Sequence, residues 1–213
     1  MIQTALSNPV HADSIIEGEE ADVLNNITSP DCSIAIYLRQ PEATLQEWLD
    51  TIPPEKLPKA RLTLQKDKVK DAMVTVFSEC SIADNPNSQI LAEDINSLAQ
   101  LFAKIMKTNS INLRLDVVND NACRKFHQDN VAARLLCSYR GRGTEYGIYS
   151  ATPMPDVIYE LPKQAVGIFK GRRWTPAPST VIYHRSPPIE GSGETRLLLV
   201  IDKASSENNC DCC

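Results

Sequence analysis

The most informative stretch of this 213-residue chain is Phe126-His127-Gln128-Asp129-Asn130, where a histidine and an aspartate are two residues apart. A second histidine, His184, follows after 54 further residues, and the chain has only three histidines. In a β-strand, residues i and i+2 point to the same side. We therefore expect a strand that presents His127 and Asp129 together, while His184 approaches from another part of the fold.

Two imidazoles and one carboxylate form a known ligand set for a metal. Arranged on one face of an octahedron, they hold non-haem Fe(II) and leave positions open for O2 and a co-substrate. The same three ligands could hold Zn(II), with a fourth position open for water. A His-x-Asp pair also occurs by chance, and a single histidine is often structural, so the flanking sequence decides how much weight the pattern carries.

The flanking sequence contains strand-like runs separated by glycine turns. The runs are Ala133–Tyr139, Ala165–Phe169 and Arg196–Ile201, and the turns are Gly141–Thr144 and Gly191–Gly193. This order resembles the double-stranded β-helix of the Fe(II)/2-oxoglutarate-dependent oxygenases, in particular their prolyl-hydroxylase-like branch. The resemblance covers roughly residues 110 to 202. It implies an α+β fold whose core is a jelly roll, cupin-like, supported by N-terminal helices.

The same resemblance implies roles for individual residues. It makes His127, Asp129 and His184 the catalytic metal ligands, and it makes Arg196, 12 positions after His184, the residue that binds the 2-oxoglutarate co-substrate. A guanidinium matches a carboxylate with two parallel hydrogen bonds. An arginine next to the apolar run Leu197–Ile201 needs such a partner if it is buried.

Three further residues are candidates near this site. Tyr139 could hold the co-substrate through its hydroxyl, or it could be an ordinary core aromatic. Arg185 and Arg134 could bind substrate or co-substrate, and either could equally form a structural ion pair.

A second resemblance spans most of the chain. Two stretches of the sequence are similar to an uncharacterised bacterial family, domain-of-unknown-function family 1826. They are Arg134-Leu135-Leu136-Cys137-Ser138-Tyr139-Arg140-Gly141 and His184-Arg185-Ser186-Pro187-Pro188. That family brings no established activity with it.

The pattern along the chain predicts three regions. Residues 1–109 form a helix-rich segment that packs on the core, residues 110–203 form the metal-binding β-helix, and residues 204–213 form a flexible tail with Cys210, Cys212 and Cys213. The strongest helix signal covers about 88–108, where apolar residues recur at helical spacing. The tail could bind a soft metal, or it could be an exposed terminus without a fixed role.

Composition limits the other classes of function. The net charge of −5 gives no reason to expect general nucleic-acid binding. No run is long enough to predict a membrane span, and the first residues lack a signal pattern, so we expect a cytoplasmic protein. The odd number of cysteines, seven, favours reduced thiols over a disulfide framework.

The sequence thus predicts an Fe(II)- and 2-oxoglutarate-dependent oxygenase that acts on an unidentified small-molecule or protein substrate. Two alternatives stay open: a zinc-binding protein of metal homeostasis, and a non-catalytic binding module on the same fold.

Overall fold

The computed structural model describes residues 2–4, 14–40, 42–83, 85–121, 123–149, 154–178 and 181–204. Its core consists of two β-sheets. The larger sheet has seven strands in the order β2-β3-β9-β6-β11-β5-β4. Their bounds are β2 Ile15–Gly18, β3 Ile34–Tyr37, β4 Ala60–Gln65, β5 Ser110–Val118, β6 Ala133–Arg140, β9 Val166–Lys170 and β11 Arg196–Lys203.

The smaller sheet has four strands in the order β1-β8-β7-β10. These are β1 Ile2–Thr4, β7 Glu145–Ile148, β8 Ile158–Glu160 and β10 Ile182–Arg185. The two sheets enclose an apolar cluster to which both contribute. Its buried members are Ile34, Ile36, Leu136, Tyr146, Leu161, Phe169, Ile182, Leu198 and Val200.

A layer of helices covers the other face of the larger sheet. The helices are α1 Ala43–Thr51, α2 Val69–Glu79 and α3 Pro86–Ile105. The apolar face of α3 packs against this sheet and includes Ile95 and Phe102, which are both fully buried. Because β11 lies between this layer and the smaller sheet, seven of its eight residues are buried. A strand covered on both faces reads as a continuous apolar run, which is how Leu197–Ile201 reads in the sequence.

The predicted fold class is confirmed: the core is a jelly roll of two sheets, with helices packed on the outside of one of them. The predicted helix at about 88–108 is α3. The segment before residue 110 contributes β2, β3 and β4 to the larger sheet in addition to the three helices.

One local prediction is wrong. His127 and Asp129 do not lie in a strand, because His127 forms only an isolated bridge and residues 128 and 129 have no regular secondary structure. No helix in the described ranges is long and apolar enough to cross a membrane. The cysteine-rich tail and the third histidine, His11, lie outside the described residues.

Candidate metal centre

The backbones of the two candidate histidines are joined directly. The His127 N–H donates to the carbonyl of His184 at 3.0 Å, and the His184 N–H donates back to the carbonyl of His127 at 2.9 Å. His184 is on β10, whose other neighbour is β7, so His127 extends the smaller sheet by one residue. This bridge brings together two imidazoles that are far apart in the sequence, with ring centroids 4.7 Å apart.

The carboxylate of Asp129 lies between the two rings. Its Oδ1 is 3.6 Å from Nε2 of His127, and its Oδ2 is 3.1 Å from Nε2 of His184. One potential ligand atom from each of the three residues lies within 4.8 Å of the others. Asp129 and His184 are buried, whereas 27% of the His127 side chain is exposed, so the group opens to solvent on the His127 side.

Burial and neighbouring charges shift the pKa of each of the three residues in this cluster. Burial alone would raise the pKa of Asp129, but its interactions with His127, His184 and Arg134 outweigh burial and hold that pKa well below its ordinary value. Burial lowers the pKa of His184, while the interaction with Asp129 raises the pKa of His127. At neutral pH the Asp129 carboxylate is therefore ionised and the neighbouring His184 imidazole is neutral.

These residues fit a divalent metal ion. Nδ1 of His127 is 2.8 Å from the carbonyl of Lys125. In the neutral ring this contact places the proton on Nδ1 and leaves the lone pair of Nε2 available, as in many metal-binding histidines. Oδ2 of Asp129 and Nδ1 of His184 are buried without a hydrogen-bond partner among the described residues. Leaving buried polar atoms unpaired costs about 1–3 kcal/mol each, and a cation at Oδ2 would remove that cost for the carboxylate.

A glycine allows the loop that carries Asp129 to lie close to β9. The backbone N–H of Arg172 donates to the carbonyl of Asp129 at 2.9 Å, directly after Gly171. A Cβ atom at Gly171 would be 2.1 Å from the carbonyl oxygen of Val131 and 2.8 Å from that of Asp129. No side chain fits at this position unless the loop moves.

Arg196, at the start of β11, is fully buried. Its Nε donates to the carbonyl of Arg142 at 2.7 Å, and its Nη1 donates to the hydroxyl of Ser186 at 2.9 Å. Its Nη2 donates to the hydroxyls of Ser138, at 3.1 Å, and Thr144, at 3.5 Å. All of these partners are uncharged, and no carboxylate among the described residues lies within ion-pair distance. Burial lowers the pKa of Arg196 to about 10, although nearby Glu194 and other glutamates oppose this effect.

The other two candidates for co-substrate binding have different surroundings. Tyr139 is on the helix-facing side of β6, where its hydroxyl donates to Asp94 of α3 at 2.5 Å. Arg185 forms an ion pair with Glu145 at 2.6 Å and lies over the ring of Phe126. Among the described residues, neither forms an ion pair or hydrogen bond with a triad side chain, whereas Arg134 pairs with Asp129.

Sequence reasoning missed several polar residues around the site. Ser138, Thr144 and Ser186 surround Arg196, and Asp202 pairs with Arg134 at 2.9 Å. Ser138 could have been found by strand alternation, because it faces the opposite side to Tyr139. Asp202 gives no such signal, since it comes from the far end of another strand.

Comparison with solved structures gives relatives of the fold. The chain is similar to the dioxygenase for auxin oxidation 1 from Arabidopsis thaliana, which was solved as a binary complex with 2-oxoglutarate. The two sequences are 13% identical, the match covers 92% of this chain and 94% of that chain, and the TM-score is 0.53. It is also similar to the dioxygenase for auxin oxidation in rice, with 10% identity and a TM-score of 0.48. This match covers 90% of this chain and 83% of that chain. A Pseudomonas putida prolyl-4-hydroxylase gives 12% identity, 85% and 92% covered and a TM-score of 0.44.

Because the identity is so low, the first of these similarities shows only a shared double-stranded β-helix fold. No curated protein sequence matches the chain significantly. One protein family does match: the model of the family described as protein of unknown function, DUF1826, covers residues 18–202. Because this match spans most of the chain, including the triad and Arg196, the protein is a member of the DUF1826 family.

Proposed function

We propose that this protein is an Fe(II)- and 2-oxoglutarate-dependent oxygenase, with His127, Asp129 and His184 as the iron ligands and Arg196 as the co-substrate anchor. One observation carries the proposal. The buried Arg196 donates to the hydroxyl of Ser186, which is two residues after His184, so its guanidinium lies against the segment that carries a triad histidine.

Arg196 has the properties of a carboxylate-binding residue. A buried guanidinium normally has a carboxylate partner, since burying an uncompensated charge is costly. Here hydroxyls and one carbonyl hold the guanidinium without neutralising it. A dicarboxylate with one end at Arg196 would supply the missing negative charge in a bidentate contact. The hydroxyls of Ser138 and Ser186 could then turn to donate to the same carboxylate.

Two imidazoles and one carboxylate leave half of an octahedral coordination sphere for other ligands. Iron, when bound, would supply the activation of O2. The chain supplies the ligand group, the anchoring charge and a dry interior. Leu136, Leu198 and Val200 fill the space between the sheets and exclude water, which limits side reactions in such a site. The partly exposed His127 marks the side from which a substrate would approach.

The Arabidopsis thaliana relative supports the co-substrate, because it was solved with 2-oxoglutarate on a fold that matches nearly the whole of this chain. The zinc alternative uses the same three ligands but gives no role to the buried charge of Arg196. The two proposals therefore differ in what they expect of 2-oxoglutarate.

Anaerobic reconstitution tests the proposal. Adding 2-oxoglutarate to the Fe(II)-loaded protein should produce a weak visible charge-transfer band. An Asp129→Ala variant should lose the band together with the metal. An Arg196→Gln variant should still bind Fe(II) but require far more 2-oxoglutarate for the same band. Tight Zn(II) binding without any band at saturating Fe(II) and 2-oxoglutarate would refute the oxygenase and favour a zinc-binding protein.

A further inference from the structure

Arg134 joins the candidate metal centre to β11, an inner strand of the larger sheet. Its Nη1 donates to Oδ1 of Asp129 at 2.5 Å. Its Nη2 donates to Oδ2 of Asp202 at 2.9 Å, and its Nε lies 3.3 Å from the same oxygen. One guanidinium therefore bridges two buried carboxylates, only one of which belongs to the triad.

Asp202 is held in turn from its other side. Its Oδ1 accepts a hydrogen bond from the Asn112 amide at 2.9 Å, and Oδ1 of Asn112 accepts from the hydroxyl of Thr63 at 2.8 Å. Arg134, Asp202, Asn112 and Thr63 are on β6, β11, β5 and β4, which are consecutive neighbours in the sheet. The chain of contacts thus fixes Arg134 on a rigid support.

The two oxygens of Asp129 have different environments as a result. Oδ1 is occupied by Arg134, whereas Oδ2 faces His184 and has no hydrogen-bond partner among the described residues. A carboxylate with one oxygen bound to a fixed arginine can give a metal only its other oxygen without losing that contact.

We propose that Arg134, oriented by Asp202, is a positioning residue that makes Asp129 a one-oxygen metal ligand. This inference rests on the metal site of the proposed function but requires neither 2-oxoglutarate nor catalysis. Arg134 holds Oδ1 away from the metal and keeps a coordination position open that a two-oxygen carboxylate would fill. In the described part of the chain Asp202 contacts Arg134 and Asn112 but no triad residue, so it acts on Asp129 through Arg134.

Cobalt(II) binding to the full chain tests this role, because Co(II) absorption reports both affinity and coordination number. The informative variants are Arg134→Gln, Arg134→Lys, Asp202→Asn and the double variant Arg134→Gln/Asp202→Asn. Arg114→Gln is the matched control. Arg114 pairs with Asp116 at 3.8 Å on β5, and no triad contact of either residue is present in the described part of the chain.

We expect Arg134→Gln to weaken Co(II) binding about 10- to 100-fold, the usual effect of losing a contact to a metal ligand. Its Co(II) spectrum should change because Asp129 can then rotate or bind through both oxygens. The Co(II) affinity of Arg134→Lys should fall between those of wild type and Arg134→Gln, because lysine retains the positive charge but not the planar guanidinium that bridges the two carboxylates. Asp202→Asn should change the spectrum in the same direction, and the double variant should match Arg134→Gln alone, since residues of one network are not additive.

Circular dichroism separates these effects from unfolding, and only variants that melt as folded proteins are compared. If wild-type protein binds no Co(II), the metal site itself fails. If wild type binds Co(II) but Arg134→Gln and Asp202→Asn give the wild-type affinity and spectrum, the positioning role is overturned. An effect of Asp202→Asn that persists unchanged in the Arg134→Gln background would also overturn it, because Asp202 would then act independently of Arg134.

Discussion

His127 and His184 exchange two backbone hydrogen bonds, at 3.0 and 2.9 Å, and this single bridge determines the geometry of the candidate site. The bridge sets the distance between the two rings without a continuous strand at His127. It also leaves the loop after His127 free to carry Asp129 back between the imidazoles. The site therefore depends on backbone pairing at one position and on close packing of the loop against β9.

The two histidines should titrate at different pH values in the metal-free protein. The interaction with Asp129 raises the pKa of His127 above its ordinary value of 6.5, and burial lowers the pKa of His184 below it. As the pH falls from 8, His127 should gain a proton first and His184 only at lower pH. Metal binding should weaken as soon as His127 is protonated, because a charged imidazole cannot act as a ligand.

Nitrogen-detected NMR of the imidazoles measures both titrations, and Co(II) titrations at several pH values measure the metal affinity. Titration of both rings together near pH 6.5 would contradict the charge arrangement described here.

Replacing Arg196 should impair co-substrate binding while sparing the metal. Each hydrogen bond to a charged group contributes about 1.5–3 kcal/mol, so Arg196→Gln should raise the 2-oxoglutarate dissociation constant roughly 10- to 150-fold for each bond lost. Titration of the Fe(II)-loaded protein under argon gives this constant. Unchanged 2-oxoglutarate affinity in a folded, Fe(II)-binding variant would remove Arg196 from the site.

Tyr139 and Ser138 are adjacent in sequence but should give opposite results. Tyr139→Phe removes the hydrogen bond to Asp94 and should lower the free energy of unfolding by about 1–3 kcal/mol, without changing 2-oxoglutarate affinity. Ser138→Ala removes a contact to Arg196 and should weaken 2-oxoglutarate binding with a smaller effect on stability. Urea denaturation and co-substrate titration of both variants compare the two faces of β6. Loss of co-substrate affinity in Tyr139→Phe would show that the Tyr139 hydroxyl binds the co-substrate.

Gly171→Ala should disturb the metal site through the backbone of the loop that carries Asp129. Its Cβ would overlap the carbonyl of Val131 at 2.1 Å and press on the loop of Asp129. Gly193→Ala is the control: at its φ of +77° an alanine costs about 1–2 kcal/mol of local strain, but nothing lies within 4 Å of the added atom. We expect weaker Co(II) binding in Gly171→Ala and wild-type binding in Gly193→Ala. Equal Co(II) affinity in the two variants would show that the loop adapts.

The jelly roll could be predicted through the resemblance to the oxygenases, which rests on strand runs and glycine turns that are local signals in the sequence. The candidate triad could be predicted from spacing and ligand chemistry. The proposed strand at His127 is wrong, since a single bridge to His184 replaces it and leaves no periodicity to read. Tyr139 stayed open between co-substrate binding and core packing, because β6 is buried along most of its length and strand alternation does not tell which of its two faces meets the helices. The bridge from Arg134 to Asp202 joins residues 68 positions apart, and no local pattern reports it.

The most direct test of the account is an anaerobic crystal structure of the protein with Fe(II) and 2-oxoglutarate, with iron located by anomalous scattering. We expect one iron peak within bonding distance of His127, Asp129 and His184, with only one oxygen of Asp129 coordinated, and the distal carboxylate of 2-oxoglutarate paired with Arg196. An iron peak elsewhere, or ordered 2-oxoglutarate that does not contact Arg196, would contradict it.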